Sequence, residues 1–176
     1  PAAAWGIFAN HGQNCCAGSR LYVHASRYRE VVEGVAEIAR SIRLGSPLLA
    51  ETQMGPLANR AHRDRVLGFI AAGRSEGARL VTGGGCPDHE RAYIEPTILA
   101  DVSSGMTPVA EEIFGPVLVT ASFQTHEEAL QLANDTEFGL GASVWSNDIR
   151  TVRRMGRGIK AGSIWVNVHN ALDMAL

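Results

Sequence analysis

Apolar positions recur along this chain alternately at a spacing of two residues and at about 3.6 residues. The first spacing is typical of strands and the second of helices, so their alternation predicts an α/β fold. We expect an open, largely parallel, twisted sheet with helices on both faces. Because no linker, repeat or low-complexity segment interrupts the pattern, residues 1–176 are predicted to form a single domain.

The same pattern predicts where the elements lie. Strands are predicted at residues 21–23, 78–82, 93–99, 117–123, 140–145 and 163–168. Helices are predicted at residues 26–44 and 59–75, from about residue 125, and from residues 146–148 to 157. Ser26 is the predicted N-cap of the first helix. Pro96 predicts an edge position for its strand, because proline donates no hydrogen bond to a neighbouring strand.

Composition and charge exclude several classes of partner. The chain has 45% hydrophobic and 19% charged residues, which is ordinary for a globular domain. With a net charge of −2 and no basic stripe, neither nucleic acid nor a membrane surface is an expected partner. No apolar run reaches the roughly 18 residues of a membrane span. Three cysteines, two of them adjacent, do not suit a disulfide framework, so we expect a reducing compartment, the cytoplasm.

Residues 12–20 hold the first candidate chemistry, the sequence Gly-Gln-Asn-Cys-Cys-Ala-Gly-Ser-Arg. Small neighbours let a substrate approach the sulfur, and Gln13, Asn14 and backbone N–H groups can stabilise negative charge. Adjacency of Cys15 and Cys16 would strain a disulfide and gives no metal-ligand spacing, so no metal site is expected. The residues alone leave two interpretations open, a reactive nucleophile and an inert buried thiol.

Six short blocks, in a fixed order, resemble the aldehyde dehydrogenase superfamily. They are residues 12–15, 53–57, 96–99, 111–117, 133–140 and 162–167. The likeness covers essentially the whole chain. It implies that Cys15 is a nucleophile that adds to an aldehyde carbonyl, that NAD or NADP accepts the hydride, and that water then cleaves a thioester.

The resemblance also implies roles for residues distant from the thiol. Glu112 matches a glutamate that binds the nicotinamide ribose hydroxyls, and Phe114 matches an aromatic residue that packs against the nicotinamide. The alternatives are a solvated Glu112 and a Phe114 packed in the core. His62 and Arg65 lie where the family often places further ribose or phosphate contacts, and the alternative for them is an exposed helix face.

On the substrate side, the resemblance indicates a pocket beside the nucleophile and in the last loop. The expected substrate-binding residues are Asn14, Cys16, His169, Asn170 and Leu172. Asn167 is expected to brace the active-site loop by hydrogen bonds. Residues 14–23 are most similar to enzymes for medium-chain or aromatic aldehydes such as phenylacetaldehyde.

Several parts of the family pattern are missing from the sequence. They are the Rossmann-type cofactor-binding half, the Glu-Leu-Gly-Gly segment with the general base, the upstream oxyanion asparagine, the Pro-Phe-Gly-Gly loop and the oligomerisation strand. The apolar residues at both ends also favour an interior piece. We therefore expect residues 1–176 to be a thiol-bearing catalytic domain that is truncated at both ends and inactive alone. The parent protein is expected to be a homodimer or homotetramer.

Two functions of other classes remain open at this point. The first is a cysteine-dependent esterase or acyl transferase, in which Cys15 pairs with a histidine such as His11. The second is a non-catalytic interaction module on the same fold. Within the superfamily, reduction of an acyl phosphate or acyl-CoA is a further alternative. Residues 112–114 have no role in a hydrolase mechanism, which is why dehydrogenation is the first hypothesis.

Overall fold

Helices and strands alternate through the computed structural model, which describes residues 1–88 and 91–171. Strands β1 to β6 are Arg20–His24, Arg79–Thr82, Thr97–Ala100, Val117–Phe123, Gly141–Val144 and Ser163–Val166. Helices α1 to α6 are Ala2–Phe8, Tyr28–Ser41, Arg60–Ser75, Thr107–Ala110, His126–Asn134 and Ile149–Gly158. The turns at Ala9–Gly12 and Ala25–Arg27 are 3₁₀-helical. None of the helices within the described ranges is long and apolar enough to cross a bilayer.

The strands form a mainly parallel arrangement. Four of them make one sheet in the order β1-β4-β3-β2, in which β1, β4 and β3 run parallel and β2 runs antiparallel to β3. Strands β5 and β6 form a separate parallel pair. The predicted α/β class with a largely parallel open sheet is confirmed, and within the described residues its strands divide between two sheets.

Both faces of the larger sheet are covered, because alternate residues of β3 and β4 are apolar on each side. Ile98 and Leu118 pack in one core with α1 and α2. Their chain neighbours Leu99, Val117 and Val119 point to the opposite face and pack with α3 and α4. A mainly apolar strand therefore serves two cores at once, as expected for a sheet between helical layers.

A smaller core joins α5, α6 and the second sheet, through Ala129, Val144 and Met155. Side-chain caps fix the starts of both helices. Thr125 accepts a hydrogen bond from the Glu128 N–H, and Asp148 accepts from the N–H groups at the start of α6. Both helices begin where the sequence predicts, at about residue 125 and after residues 146–148.

The predicted edge position of residues 93–99 is wrong. The strand is Thr97–Ala100, fully buried between β4 and β2. Pro96 precedes the first paired residue, so its missing N–H removes no hydrogen bond from the ladder. The Thr97 N–H is satisfied by the Pro116 carbonyl at 2.9 Å.

The first predicted helix differs at both ends, and two short helices were not predicted. Ser26 lies in a 3₁₀ turn, where its N–H donates to His24 Nδ1, and α2 begins after Arg27. The helix stops at Ser41 because Ile42 is extended. The pattern also missed α1 and α4, which have seven and four residues and are too short for a helical period to stand out.

Replacing Leu118 by alanine tests the two-sided core. The side chain is 1% exposed, so Leu118→Ala should lower the free energy of unfolding by about 2–5 kcal/mol in chemical denaturation. The matched control is Leu48→Ala, because Leu48 is 93% exposed and its loss should change stability by less than about 0.5 kcal/mol. Equal effects of the two substitutions would contradict the assigned core.

Candidate functional site

Residues 10–19, here called the cysteine loop, begin with a left-handed turn after α1. Asn10, His11 and Gly12 have φ of 50°, 61° and 66° in succession. Asparagine and histidine are among the side chains that tolerate this region best, and glycine enters it freely. The turn reverses the chain, so residues 13–19 run from the end of α1 to the start of β1.

Gly12 brings the cysteine loop into direct contact with residues 111–116. A Cβ atom at this position would lie 2.1 Å from the Gly115 carbonyl oxygen. Together with the positive φ, this close approach excludes every residue except glycine. Two sequence blocks about a hundred residues apart therefore meet backbone to backbone.

Gln13 anchors the cysteine loop. Its Oε1 accepts a hydrogen bond from the Ala58 N–H at 3.1 Å, and its carbonyl accepts from Asn10 Nδ2 at 2.7 Å. The oxygen of the Gln13 amide is therefore directed to Ala58, and stabilisation of negative charge at the thiol by Gln13 stays a prediction. A local pattern could not reveal this partner, which lies 45 residues away.

Asn14 faces the cysteines through its oxygen. Its Oδ1 accepts from the Cys16 N–H at 3.1 Å and from the Cys15 S–H at 3.6 Å. The two sulfur atoms lie 3.9 Å apart. The Cys15 N–H, in contrast, has no acceptor among residues 1–88 and 91–171 and remains available to a ligand.

The two thiols differ in their surroundings. Cys15 is exposed and lines a cavity, whereas Cys16 is half-buried and does not line it. Burial raises the pKa of the Cys16 thiol, and the hydrogen bond and charge of Cys15 raise it further. Cys16 therefore keeps its proton at neutral pH and is able to donate it to the Cys15 sulfur.

The loop at residues 111–116 is held by the first turns of α3. His62 Nε2 donates to the Phe114 carbonyl at 2.7 Å, since a carbonyl only accepts. Arg65 donates to the carbonyls of Glu112 and Ile113 at 2.8 and 3.2 Å. In the structure, His62 and Arg65 thus bind the backbone of this loop, and neither lines the cavity.

The loop presents two of the predicted side chains to the cavity. Phe114 has φ of 55°, which is unusual for an aromatic residue, and its ring is half-buried. Glu112 is exposed, and its carboxylate pairs with no cation among the described residues. Both side chains line the same cavity as Cys15.

His169 closes the opposite side of the cysteine loop. Its Nε2 donates to the Cys16 carbonyl at 2.9 Å, so in the neutral ring Nδ1 accepts from the Ser143 hydroxyl at 2.6 Å. The ring packs over Gly6 and Gly18, where a Cβ would lie 3.2 and 3.5 Å from it. The sequence predicted His169 only as a substrate-binding residue. In the structure it also links β5 and α1 to the cysteine loop.

The residues that follow β6 agree with only some of the expectations. Asn167 braces Ser146, accepting from its N–H and donating to its carbonyl, both at 3.0 Å. Ser146 lines the cavity, so the bracing predicted for Asn167 is present. Asn170 does not line the cavity, and Leu172 lies outside the described residues.

The cavity has a volume of about 640 Å³. Cys15, Asn14, Glu112 and Phe114 lie on its wall. Residues of β1 and β5 also lie on the wall, and each of these strands has a paired neighbour on only one side within the described chain. The size suits a small organic ligand together with part of a cofactor.

Arg20 is one of the charged residues on this wall that the sequence did not mark. Its Nη1 atom is buried and has no hydrogen-bond partner within the described ranges. Burying a guanidinium nitrogen without an acceptor costs free energy. An additional acceptor beside Arg20 Nη1 would therefore stabilise the folded chain. A lone charge at the start of an otherwise apolar strand is the sequence signal that could have found it.

Known proteins resemble the chain over its whole length. The sequence model described as "Aldehyde dehydrogenase family" matches residues 1–176. Betaine aldehyde dehydrogenase of Brucella anthropi is 47% identical over 172 residues, 96% of this chain and 35% of that protein. Phenylacetaldehyde dehydrogenase of Pseudomonas fluorescens is 42% identical over 173 residues, 97% of this chain and 34% of that protein.

Solved structures agree with these sequences. The NAD⁺ complex of aldehyde dehydrogenase from Bacillus cereus matches with a TM-score of 0.96 and 41% identity, covering 99% of this chain and 35% of that one. The chain thus spans about a third of the length of the relatives it matches. With the family model matched from end to end and a shared fold at this level of identity, the chain belongs to the aldehyde dehydrogenase family.

Proposed function

We propose that this chain is the thiol-bearing part of an NAD(P)-dependent aldehyde dehydrogenase, which oxidises an aldehyde to a carboxylic acid. The observation that carries the proposal is that Cys15, Glu112 and Phe114 line one cavity. They come from two loops that touch through Gly12 and Gly115. A nucleophile and groups suited to a nicotinamide nucleoside are thereby within reach of one bound substrate.

Cys15 carries the covalent chemistry in this proposal. Its sulfur adds to the aldehyde carbon to give a thiohemiacetal, and loss of hydride from that carbon leaves a thioester, which water cleaves. The Cys15 N–H has no acceptor among the described residues, which supports its role as a donor to the oxygen of these species. The Cys16 S–H, held in its protonated form, donates to the Cys15 sulfur before attack.

The residues present fit a nicotinamide dinucleotide. Glu112 is an exposed carboxylate with no cation partner among the described residues. It is therefore free to accept from two ribose hydroxyls, and the Phe114 ring offers an apolar surface. When bound, the dinucleotide supplies the hydride acceptor. His62 and Arg65 act here as positioning residues, because they bind the backbone carbonyls of Phe114 and Glu112 themselves.

The hydrolase alternative receives no support from the geometry. Cys15 contacts only Asn14 and Cys16 through its sulfur, and no histidine or carboxylate bonds to it among the described residues. His11 is not on the cavity wall, and its Nε2 lies against Gly55. A cysteine–histidine pair would need these groups within hydrogen-bond reach.

Substrate and setting are further parts of the proposal. We infer a medium-chain or aromatic aldehyde, supported by Phe138 and Trp145, which are partly exposed on the cavity wall. The relatives named for betaine aldehyde and for phenylacetaldehyde have similar sequence identity to this chain. Identity therefore does not separate the two substrates, and the residues of the cavity wall are the better guide to the substrate.

Three free thiols favour a reducing compartment, the cytoplasm. We further infer a homodimer or homotetramer, supported by exposed Val166 and Val168.

Replacing Cys15 by serine in the intact protein that contains this chain tests the nucleophile. Cys15→Ser should lower kcat at least about 1000-fold, because a hydroxyl is a far weaker nucleophile without a base. The readouts are NAD(P)H formation and the loss of a trapped thioester in mass spectrometry. Cys86→Ser is the matched control, since Cys86 is remote from the cavity. Persisting aldehyde oxidation in Cys15→Ser would exclude the mechanism.

Replacing Glu112 by glutamine separates dehydrogenation from hydrolysis. In the intact protein, Glu112→Gln should raise the KM for the dinucleotide about 10- to 100-fold, because hydrogen bonds to a charged acceptor contribute about 1.5–3 kcal/mol. Ester hydrolysis at Cys15, which needs no dinucleotide, should change little. Glu37→Gln, an exposed change on α2 with the same loss of charge, is the control. Equal damage to both reactions would favour the hydrolase.

The chain of residues 1–176 alone should form no NAD(P)H from an aldehyde above the rate of its Cys15→Ala variant. The reason is that no histidine or carboxylate base contacts the Cys15 sulfur among the described residues. Circular dichroism should show that the chain is folded during the assay. Cysteine-dependent NAD(P)H production by the isolated chain would overturn this expectation.

A further inference from the structure

Helix α6 presents a row of arginine side chains to solvent. Arg150, Arg153, Arg154 and Arg157 follow the spacing i, i+3, i+4 and i+7, which places them on one side of the helix. All four are exposed, and α6 contains no acidic residue. The opposite side of the helix holds Met155, which is buried in the core shared with α5. We call these four arginines the basic face.

Neighbouring carboxylates pair with only half of the basic face. Arg154 pairs with Glu127 of α5, and Arg150 Nε lies 3.7 Å from Asp148 Oδ1. Both pairs are exposed to solvent, so they contribute little to stability and can exchange for another anion. The other two arginines of the basic face make no ion pair or hydrogen bond within residues 1–88 and 91–171.

The sequence conceals the basic face, because the chain as a whole has a net charge of −2. Uncharged residues such as Thr151 and Gly156 separate the arginines, so no long run of like charge stands out. Only the helical conformation gathers the four side chains on one side. The expectation that the chain has no basic stripe is therefore wrong at α6.

We propose that the basic face binds the phosphate backbone of double-stranded DNA. From Arg150 to Arg157 the helix rises about 10.5 Å, so the four arginines follow one another at about 3.5 Å on average. The phosphates of one DNA strand follow one another at about 3.4 Å along the duplex axis. The spacing of positive charge thus matches that of negative charge, and each guanidinium can donate two parallel hydrogen bonds to a phosphate.

Two other anionic partners fit the basic face less well. An extended acidic peptide presents one carboxylate to a given side only about every 6.8 Å, because alternate side chains point away. Its charge density is therefore half that of the arginines. An anionic membrane binds a surface helix that can bury its apolar side in lipid, whereas the apolar side of α6 is already packed in a core.

The basic face is separate from the cavity that holds Cys15. Thr151 and Met155 line that cavity from the other side of α6. DNA bound along the arginines therefore does not need to enter the cavity, and the proposal does not rest on the proposed dehydrogenase function.

The test titrates a fluorescein-labelled 20-base-pair DNA duplex of mixed sequence with this chain and measures fluorescence anisotropy. The Kd should lie at about 1–100 μM near physiological salt, as for binding through phosphates alone. The logarithm of the binding constant should fall linearly with the logarithm of the salt concentration. A slope of about −3 to −4 is expected, because each of four neutralised phosphates contributes about −0.9.

A double substitution identifies the surface. Arg153→Gln with Arg157→Gln removes the two arginines that have no acidic neighbour, and it should weaken binding at least about 10-fold and reduce the salt slope by about 2. The matched control is Arg29→Gln with Arg74→Gln, an equal loss of charge at exposed positions of α2 and α3. The control should bind as the unaltered chain does.

The salt slope of the unaltered chain needs no variant, so the test does not depend on how well the variants fold. The proposal is refuted if the duplex does not bind below about 1 mM protein at about 50 mM salt. It is also refuted if both double substitutions weaken binding equally, or if polyglutamate displaces the duplex at an equal concentration of charge. Failure of dehydrogenation in the intact protein would leave DNA binding unaffected.

Discussion

The backbone contact between Gly12 and Gly115 is the constraint on which the site depends. A Cβ atom on Gly12 would overlap the Gly115 carbonyl oxygen. A Cβ atom on Gly115 would lie 2.8 Å from the Val66 Cγ2 atom. Helix α3, the loop at residues 111–116 and the cysteine loop are therefore stacked with no side chain between the two loops. This stacking sets how far Cys15 lies from Glu112 and Phe114. Any residue with a Cβ at either glycine would force the layers apart.

Two histidines fix the loops that this contact joins. His62 donates from Nε2 to the Phe114 carbonyl, and His169 donates from Nε2 to the Cys16 carbonyl. The first carbonyl belongs to Phe114, whose side chain lines the cavity. The second belongs to Cys16, whose sulfur lies beside that of Cys15. A charged or neutral ring can donate in this way, but only the neutral ring of His169 also accepts from Ser143. Positioning of this kind preorganises a site without placing the histidine in contact with a substrate.

Much of the fold was predictable because its signals are local. Residues 117–123 are mainly apolar, with Thr120 and Ser122 as exceptions, and the strand lies where that run predicts. The helices capped by Thr125 and Asp148 begin at the expected positions. The interior position of β3 was not predictable, because Pro96 signals an edge unless its place relative to the ladder is known. The separation of β5 and β6 from the larger sheet depends on the packing of distant strands, which no local pattern contains.

The sequence by itself determined the α/β class, the cysteine pair and the blocks that resemble the family, because these rest on residue type and on spacing along the chain. Only the tertiary structure decided that Gln13 turns to Ala58, that His62 and Arg65 hold loop carbonyls, and that Arg20 Nη1 is buried with no acceptor among the described residues. The physical reason is that a hydrogen-bond partner tens of residues away becomes a neighbour only when the chain has folded.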